Sequence, residues 1–293
     1  MRFSIIIPTR NRPDSLDRCL AAIASLDYPK DQFETLVVDD ASEPPPTAIL
    51  ARHSDRLRLR SFRTEGRGPA SARNLALREA HGEYIVFTDD DCLPQPGWLG
   101  AWDRVFRDHP EACLGGRILS SPDEGIFGLA SQTLISFLYD RASGPAHFFC
   151  SNNLAARRAD LLSMGGFDET FPLAAAEDRD LCARWAAGRE LLFVPDAVVW
   201  HHQNLSARSF SRQHYRYGRG AYRFWERRRA EGAPGRKLES GTFYWRMLTW
   251  PFCGNSVPRA FLLSALLAWS QISCAVGYFA EKRHASRRPS VRT

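Results

Sequence analysis

Four short apolar runs, each followed by a stretch of different period, restrict what the first third of this chain can fold into. Phe3–Ile7 stops at Pro8, and Glu34–Val38 ends on Asp39-Asp40. Leu57–Phe62 is the third run, and Tyr84–Thr88 ends on Asp89-Asp90-Asp91. Between them, Pro13 opens a segment in which Leu16, Leu20, Ile23 and Leu26 recur at three and four residues. The Pro44-Pro45-Pro46 run restarts the chain into a second helix, and Ala70–Ala80 forms a third that Gly82 closes. Strands alternating with helices predict an α/β fold whose mostly parallel sheet is covered on both faces. Ligands of such sheets bind beyond the carboxyl ends of the strands. Two of those ends here carry clustered aspartates.

At 293 residues the chain can bury a substantial core, and 44% apolar with 25% charged residues is ordinary for a folded protein. Its seven cysteines (Cys19, Cys92, Cys113, Cys150, Cys182, Cys253 and Cys274) are scattered and include no C-x-x-C pair. That favours a reducing compartment over a disulfide framework or a zinc site. The apolar run of MRFSIIIPT is too short for a signal-peptide core and reads as a first strand. Charge is divided. Residues 203–293 hold 17 Lys/Arg against 4 Asp/Glu, and residues 1–202 hold 22 against 29. An acidic body followed by a basic tail that favours polyanions is the implication.

Three adjacent carboxylates repel one another unless a cation or bound donors compensate. A hard divalent cation takes one or two carboxylates together with diphosphate oxygens. A solvated acidic turn is the plain alternative, made less attractive by Asp39-Asp40 at another strand end. Further on, Glu177, Asp178 and Asp180 open a helix, where acidic residues are favoured whether or not they act in catalysis. Gly165-Gly166 can be a turn, and Asn152 and Asn153 can cap backbone groups or meet an acceptor. Leu191–Val194 and Val198–Trp200 read as a strand pair leading into His201-His202.

Six stretches in order carry a family resemblance: I-I-I-P-T-R-N-R (5–12), V-V-D-D-A-S (37–42), G-P-A-S-A-R-N-L-A (68–76), G-E-Y-I-V-F-T-D-D-D (82–91), G-G-F-D-E-T-F (165–171) and E-D-R-D-L-C-A-R (177–184). The chain resembles glycosyltransferase family 2 over residues 3–202. The resemblance implies the GT-A fold, a nucleotide-sugar donor, a divalent metal ion (Mn2+ or Mg2+), a hydroxyl acceptor and inversion at the anomeric centre. It places Pro8, Thr9 and Asp39 at the donor base with Asp40 nearby, and turns Arg73 toward the nucleotide or diphosphate. Asp89 and Asp91 take the outer positions of the D-x-D motif: Asp89 toward ribose or metal, Asp91 the more direct metal ligand, with Asp90 a weaker donor-site candidate. Asp178 matches the catalytic base, with Glu177 the alternative. His201 matches a histidine that approaches the metal or diphosphate, and His202 could replace it.

The tail has a different character. Arg208, Arg212, Arg216, Arg219, Arg223 and Arg227 form one helical stripe, with Phe210, Tyr217, Ala221 and Phe224 roughly opposite. Gln213–Tyr217 is only faintly similar to the Q-x-x-R-W motif of processive synthases, so a non-processive enzyme is expected. Ala260–Ala280 carries no formal charge and as a helix is about 31 Å long, enough to cross a hydrocarbon core of roughly 30 Å. Arg246 and Arg259 precede it, and Lys282, Arg283, Arg287, Arg288 and Arg292 follow it. One crossing would put one basic flank outside, against the positive-inside rule. A helix lying in the interface, or a re-entrant pair using Phe243–Phe252, suits the charges better than a single transmembrane anchor. The expected division is therefore a catalytic domain over 1–202 and a basic helical extension over 203–293, held at the cytoplasmic face of a membrane. A lipid-linked acceptor would suit the basic stripe, and no nucleic-acid partner is expected. The rival readings are a metal-dependent nucleotidyltransferase and a non-catalytic membrane scaffold. The loop after the first strand lacks the glycines that the first needs, and intact Asp89, Asp91 and Asp178 speak against the second.

Overall fold

The structure is a computed structural model that describes residues 1–140, 148–171, 175–232 and 239–287. In chain order the elements are β1 (Phe3–Thr9), α1 (Pro13–Ala24), β2 (Phe33–Asp40), α2 (Thr47–His53), β3 (Leu59–Thr64), α3 (Pro69–Glu79), β4 (Tyr84–Thr88), β5 (Cys92–Pro94), α4 (Trp98–Asp108), β6 (Cys113–Ser120), α5 (Ile126–Asp140), β7 (Asn153–Arg157), α6 (Arg158–Ser163), α7 (Glu177–Trp185), β8 (Leu191–His201), α8 (Ala207–Ala230), α9 (Gly241–Thr249) and α10 (Val257–Arg287). They fall into two compact units. The first comprises Met1–Ser121 and Ala142–His202, and the second Pro122–Arg141 and Gln203–Thr293. The second unit thus takes in the segment 122–141 as well as the basic tail.

The first unit is an α/β layer structure around one eight-stranded sheet of order β3-β2-β1-β4-β7-β6-β8-β5. The strands β1 to β4 pair in parallel, as the alternation of apolar runs and helices requires. Every residue of β2 and β4 is buried, which explains why these strands read as continuous apolar runs rather than alternating ones. The sheet then changes direction. β7 runs antiparallel to both β4 and β6, and β5 antiparallel to β8.

The predicted strand pair at 191–200 is a single strand. β8 pairs in parallel with β6 over Leu191–Val194 and Val198–His201, and a register shift between Gly116 and Arg117 accommodates the residues between. Pro195 and Asp196, which suggested a turn, sit in that bulge, where a missing backbone donor costs no ladder bond.

Among the described residues of the second unit, four helices share two small cores. Ala130, Phe210, Leu263 and Leu266 make one, and Leu134, Phe137, Met247 and Leu267 the other. The buried face of α8 is Phe210, His214, Gly218 and Tyr222, whereas Tyr217, expected on that face, is exposed. Arg288 and Arg292 lie outside the described residues.

Candidate active site

The carboxyl ends of β1, β2 and β4 bring the predicted donor-site residues together, and the loops after them are tied to one another. Asn11, after β1, accepts the Glu43 N–H on its side-chain oxygen (2.8 Å) and donates its own backbone N–H to Ser42 Oγ (2.8 Å). Asn11 adopts the left-handed conformation (φ 54°), which asparagine tolerates better than most residues. Asp39 accepts from the Ser42 N–H at 2.8 Å and is paired with Arg63. Asp40 accepts from Thr64 Oγ1 at 2.6 Å and from the Gly68 N–H at 3.0 Å. Both carboxylates are buried and bound by the chain's own donors, so they shape the strand ends as well as lining them. Pro8 is half-buried beside them, and Thr9 donates its hydroxyl to Asp90 Oδ2 at 2.7 Å.

The three aspartates after β4 have three different surroundings. Asp89 accepts from Arg73 Nη2 at 2.7 Å. Asp90 is buried, and burial together with the charge of Asp91 pushes its carboxyl up to about 7 despite Arg12 and Thr9. Asp91 lies 3.3 Å from His201 Nε2 and 2.6 Å from Arg12 Nη1. Burial works against its charge, yet His201 and Arg12 hold it well below the usual carboxylate range. Strand register explains the meeting with His201. Chain direction reverses at the aspartates, β5 pairs with β8, and Cys92 falls opposite His201. The His202 N–H donates to the Asp91 carbonyl at 2.9 Å, so its backbone closes the loop while His201 supplies the side chain. Asn152 Nδ2 sits 3.5 Å from the other ring nitrogen of His201.

Asp91, Cys92 and His201 offer ligand atoms that all lie within 4.8 Å of one another. A carboxylate oxygen and an imidazole nitrogen suit Mn2+ completed by diphosphate and water, and suit Mg2+, which prefers oxygen ligands, less well. Burial raises the Cys92 thiol well above its ordinary pKa, so it stays protonated and is a poor ligand for a hard cation. The residues present therefore fit a divalent ion held by Asp91 and His201, with Asp89 close in sequence.

Arg73 joins this cluster to the predicted base. Expected to face the nucleotide, it is 2% exposed and lies between Asp89 and Glu177 Oε1 (3.4 Å). Phe167 packs against the guanidinium with 5.4 Å between guanidinium carbon and ring centre. Phe167 is placed by Asn74, which accepts its N–H and donates to its carbonyl, both at 2.8 Å. The preceding Gly165-Gly166 is a turn with both φ positive, and a side chain on Gly166 would strike Asn74 Oδ1.

Glu177 and Asp178 open α7 behind Ala176, a left-handed residue (φ 75°) whose strain sits directly before the two carboxylates. Burial, then the neighbouring charge of Asp178, raises Glu177 to about 7, while Arg73 pulls the other way. Among the described residues, Glu177 Oε2 has no hydrogen-bond partner. Asp178 is the more open of the two, accepts the Arg179 N–H at 2.7 Å, and is also raised by burial. Asp180 pairs with Arg184 at 2.8 Å within the helix.

Asn153 is structural. Its side chain accepts from Trp98 Nε1 and donates to the carbonyls of Arg117 and Ala197, all at 2.9 Å. Arg12 is the site residue that sequence reasoning missed. The only signal was its place in the stretch after Pro8, where no role attached to it.

Residues 4–165 match the family model described as glycosyl transferase family 2, and residues 120–280 match glycosyl transferase family group 2. Among curated proteins, the poly(ribitol-phosphate) beta-N-acetylglucosaminyltransferase TarS of Staphylococcus aureus is 38% identical over 93 residues, 31% of this chain and 16% of that protein. Pre-mycofactocin glycosyltransferase of Mycobacterium tuberculosis is 29% identical over 229 residues, covering 74% of this chain and 46% of that one. The chain thus spans less than half the length of these two relatives. Among solved structures, the mannosyltransferase PcManGT from Pyrobaculum calidifontis, in complex with GDP-Man and Mn2+, has a TM-score of 0.68 at 21% identity, covering 98% of this chain and 88% of that one. S. aureus TarS 1-349 has a TM-score of 0.59 at 20% identity, covering 99% and 93%. These likenesses give the fold, which is GT-A.

Proposed function

This chain belongs to glycosyl transferase family 2, and on that premise we propose that it moves a glycosyl group from a nucleotide-diphosphate sugar to a hydroxyl acceptor, with inversion at the anomeric carbon. The observation that carries the reading is the chain of contacts from His201 through Asp91 to Arg12 on one side, and from Asp89 through Arg73 to Glu177 on the other. One group of side chains suits a charged leaving group, and the other presents a carboxylate to an acceptor.

The loops that carry Pro8, Thr9 and Asp39 hold the nucleoside end of the donor. Asp91 and His201, with Asp89, would hold a Mn2+ or Mg2+ ion, whose charge would stabilise the diphosphate leaving group. Arg73 is fixed between two carboxylates and supplies a positive charge that needs no reorganisation during the reaction. Asp178 takes the proton of the acceptor hydroxyl as its oxygen bonds to the anomeric carbon. Attack from the side opposite the diphosphate inverts that carbon. Glu177, buried below with a raised pKa, anchors Arg73 rather than meeting the acceptor.

The names of the relatives support a nucleotide sugar as donor, and TarS complexes have been solved with UDP and with UDP-GlcNAc. TarS also acts on a poly(ribitol-phosphate), which supports a cell-surface polysaccharide or glycolipid as the product class. The same reading puts the enzyme at the cytoplasmic face of a membrane; among the described residues one helix, Val257–Ser286, is long and apolar enough to cross. The test is a panel of UDP-, GDP- and dTDP-sugars incubated with the purified chain, with and without Mn2+ or Mg2+. Metal-dependent release of the nucleoside diphosphate from at least one donor is expected. Inertness toward the whole panel, in a folded protein that also fails to bind nucleoside diphosphates, would refute it.

A further inference from the structure

The outward face of α10 is apolar for most of its length. Phe261 (64% exposed), Ile272 (63%), Val276 and Phe279 (55%) project from it with Val257, Leu262 and Trp269. From Phe261 to Phe279 the other exposed positions are alanines at 265 and 275, while Pro258 and Arg259 are exposed beside Val257. From Val257 to Phe279 this stripe is about 33 Å long. A patch of this extent on a soluble surface marks an interaction site. The stripe ends on charge: Phe279, Lys282, Arg283 and Ser286 line one surface recess.

The opposite face of α10 is committed to α8. A Cβ on Gly218 would lie 1.9 Å from the Cys274 carbonyl oxygen, and one on Gly277 would lie 2.0 Å from that of Tyr215, so the two backbones touch through glycine on both sides. The helices run side by side in the same direction. Phe210 packs against Trp269 at 6.0 Å between ring centres, and Tyr222 against Tyr278 at 5.3 Å. Glu281 then binds Arg219 Nε at 2.6 Å and Arg223 Nε at 2.8 Å. Arg227 pairs with Glu231 at 3.1 Å. Three of the six arginines of the stripe are therefore ion-paired within the unit, two of them sharing Glu281. Arg208, Arg212 and Arg216 remain exposed at four-residue spacing.

This packing decides between two ways in which α10 could meet a bilayer. A crossing would carry α8 with it and bring Arg212 and Arg216 to the depth of the hydrocarbon, where charged side chains are strongly disfavoured. A helix lying in the plane of the interface buries the stripe among acyl chains and leaves every arginine of α8 in water or at headgroups. We propose that the α8–α10 pair is an in-plane docking unit for an anionic lipid surface, with Phe261, Leu262, Trp269, Ile272, Val276 and Phe279 inserted and Lys282 and Arg283 at the headgroup phosphates. This rests on the proposed function only for the membrane as partner and is independent of the chemistry at Asp91 and Asp178.

The full-length protein is tested with vesicles of phosphatidylcholine alone and with phosphatidylglycerol added. Single nitroxide labels are placed by Phe261→Cys, Ile272→Cys or Phe279→Cys, with Cys150, Cys253 and Cys274 replaced by Ser. Positions 261 and 279 are about 27 Å apart along the helix. The in-plane unit gives binding that increases at least tenfold with the anionic lipid, and one shallow depth for all three labels. Ile272→Glu with Phe279→Glu, both at exposed positions, reduces the bound fraction at least tenfold while circular dichroism is unchanged. A label at 272 near the bilayer centre with 261 and 279 shallow means a crossing, and overturns the in-plane unit while leaving the membrane reading intact. Failure to bind either vesicle overturns both. A dimer that Ile272→Glu converts to monomer, without vesicle binding, assigns the stripe to a second copy and also overturns both. Nucleoside diphosphate release measured on the same samples keeps these outcomes separate from any failure of the enzymatic reading.

Discussion

Arg12 Nη1 lies 2.6 Å from Asp91 Oδ2 and 3.1 Å from Asp90 Oδ1, so one half-exposed guanidinium already balances the carboxylate whose other oxygen faces His201. Cation and arginine then compete for Asp91. Arg12→Gln is expected to tighten Mn2+ binding by about tenfold, equivalent to roughly 1.4 kcal/mol. Titration followed by electron paramagnetic resonance of free Mn2+ checks this. Weaker binding in the variant would show that Arg12 helps to hold the ion and its ligand.

The two carboxylates that open α7 should separate in their effects. Asp178→Asn is expected to lower turnover by roughly 10²–10⁴-fold with donor binding retained, the usual scale for help from a general base. Glu177→Gln should loosen Arg73 and weaken the donor complex instead, because Glu177 is buried against that guanidinium. Steady-state kinetics with calorimetry of nucleoside diphosphate binding distinguish them. The opposite pattern would exchange the two roles.

Among the described residues the buried imidazole of His214 has no hydrogen-bond partner on either nitrogen, and burial lowers its pKa from 6.5 to about 4. The folded state therefore binds fewer protons than the unfolded chain between these values. Its stability contribution is fully present above pH 6.5 and is lost as pH falls toward 4, by about 3 kcal/mol at most. His214→Leu should flatten that part of the profile relative to the parent in paired denaturant titrations. Parallel profiles over this window would show that His214 is accessible to protons in the folded state.

Replacing glycine by alanine within a helix ordinarily stabilises it by about 1 kcal/mol. At Gly218 and Gly277 the sign should reverse, because the added methyl meets the backbone carbonyl of the neighbouring helix rather than a movable side chain. Each Gly→Ala change is expected to cost about 1–3 kcal/mol. Thermal unfolding measures it, and a rise in Tm for either variant would mean that the two helices are less closely packed.

Much of the first unit was legible because its determinants are local. β1, β2 and β4 are buried runs bounded by prolines or aspartates, and helix period alternates with them. The clustered aspartates at two of those strand ends stood out by position, and the family resemblance supplied their roles. Contacts set by sheet register were legible only through the family resemblance. It brought His201 to the metal beside Asp91, while nothing in the local sequence does so; the physical cause is Cys92 pairing with His201 across two antiparallel strands. β7 was missed because N-L-A-A-R is short and carries no period, and β8 was divided because Pro195-Asp196 has the chemistry of a turn. In the tail, the helical stripe was visible, but the partner of Arg219 and Arg223 is Glu281, about sixty residues away in sequence.

Divalent-dependent binding of a nucleoside diphosphate to the parent chain and to Asp91→Asn, followed calorimetrically with and without Mn2+, bears most directly on the site. With Asp91 and His201 as the ion's ligands, Mn2+ strengthens nucleotide binding to the parent by at least tenfold. In Asp91→Asn that enhancement is lost, while the metal-free affinity and the Tm stay close to those of the parent. An equal enhancement by Mn2+ in the folded variant would contradict the assignment and move the ion away from Asp91.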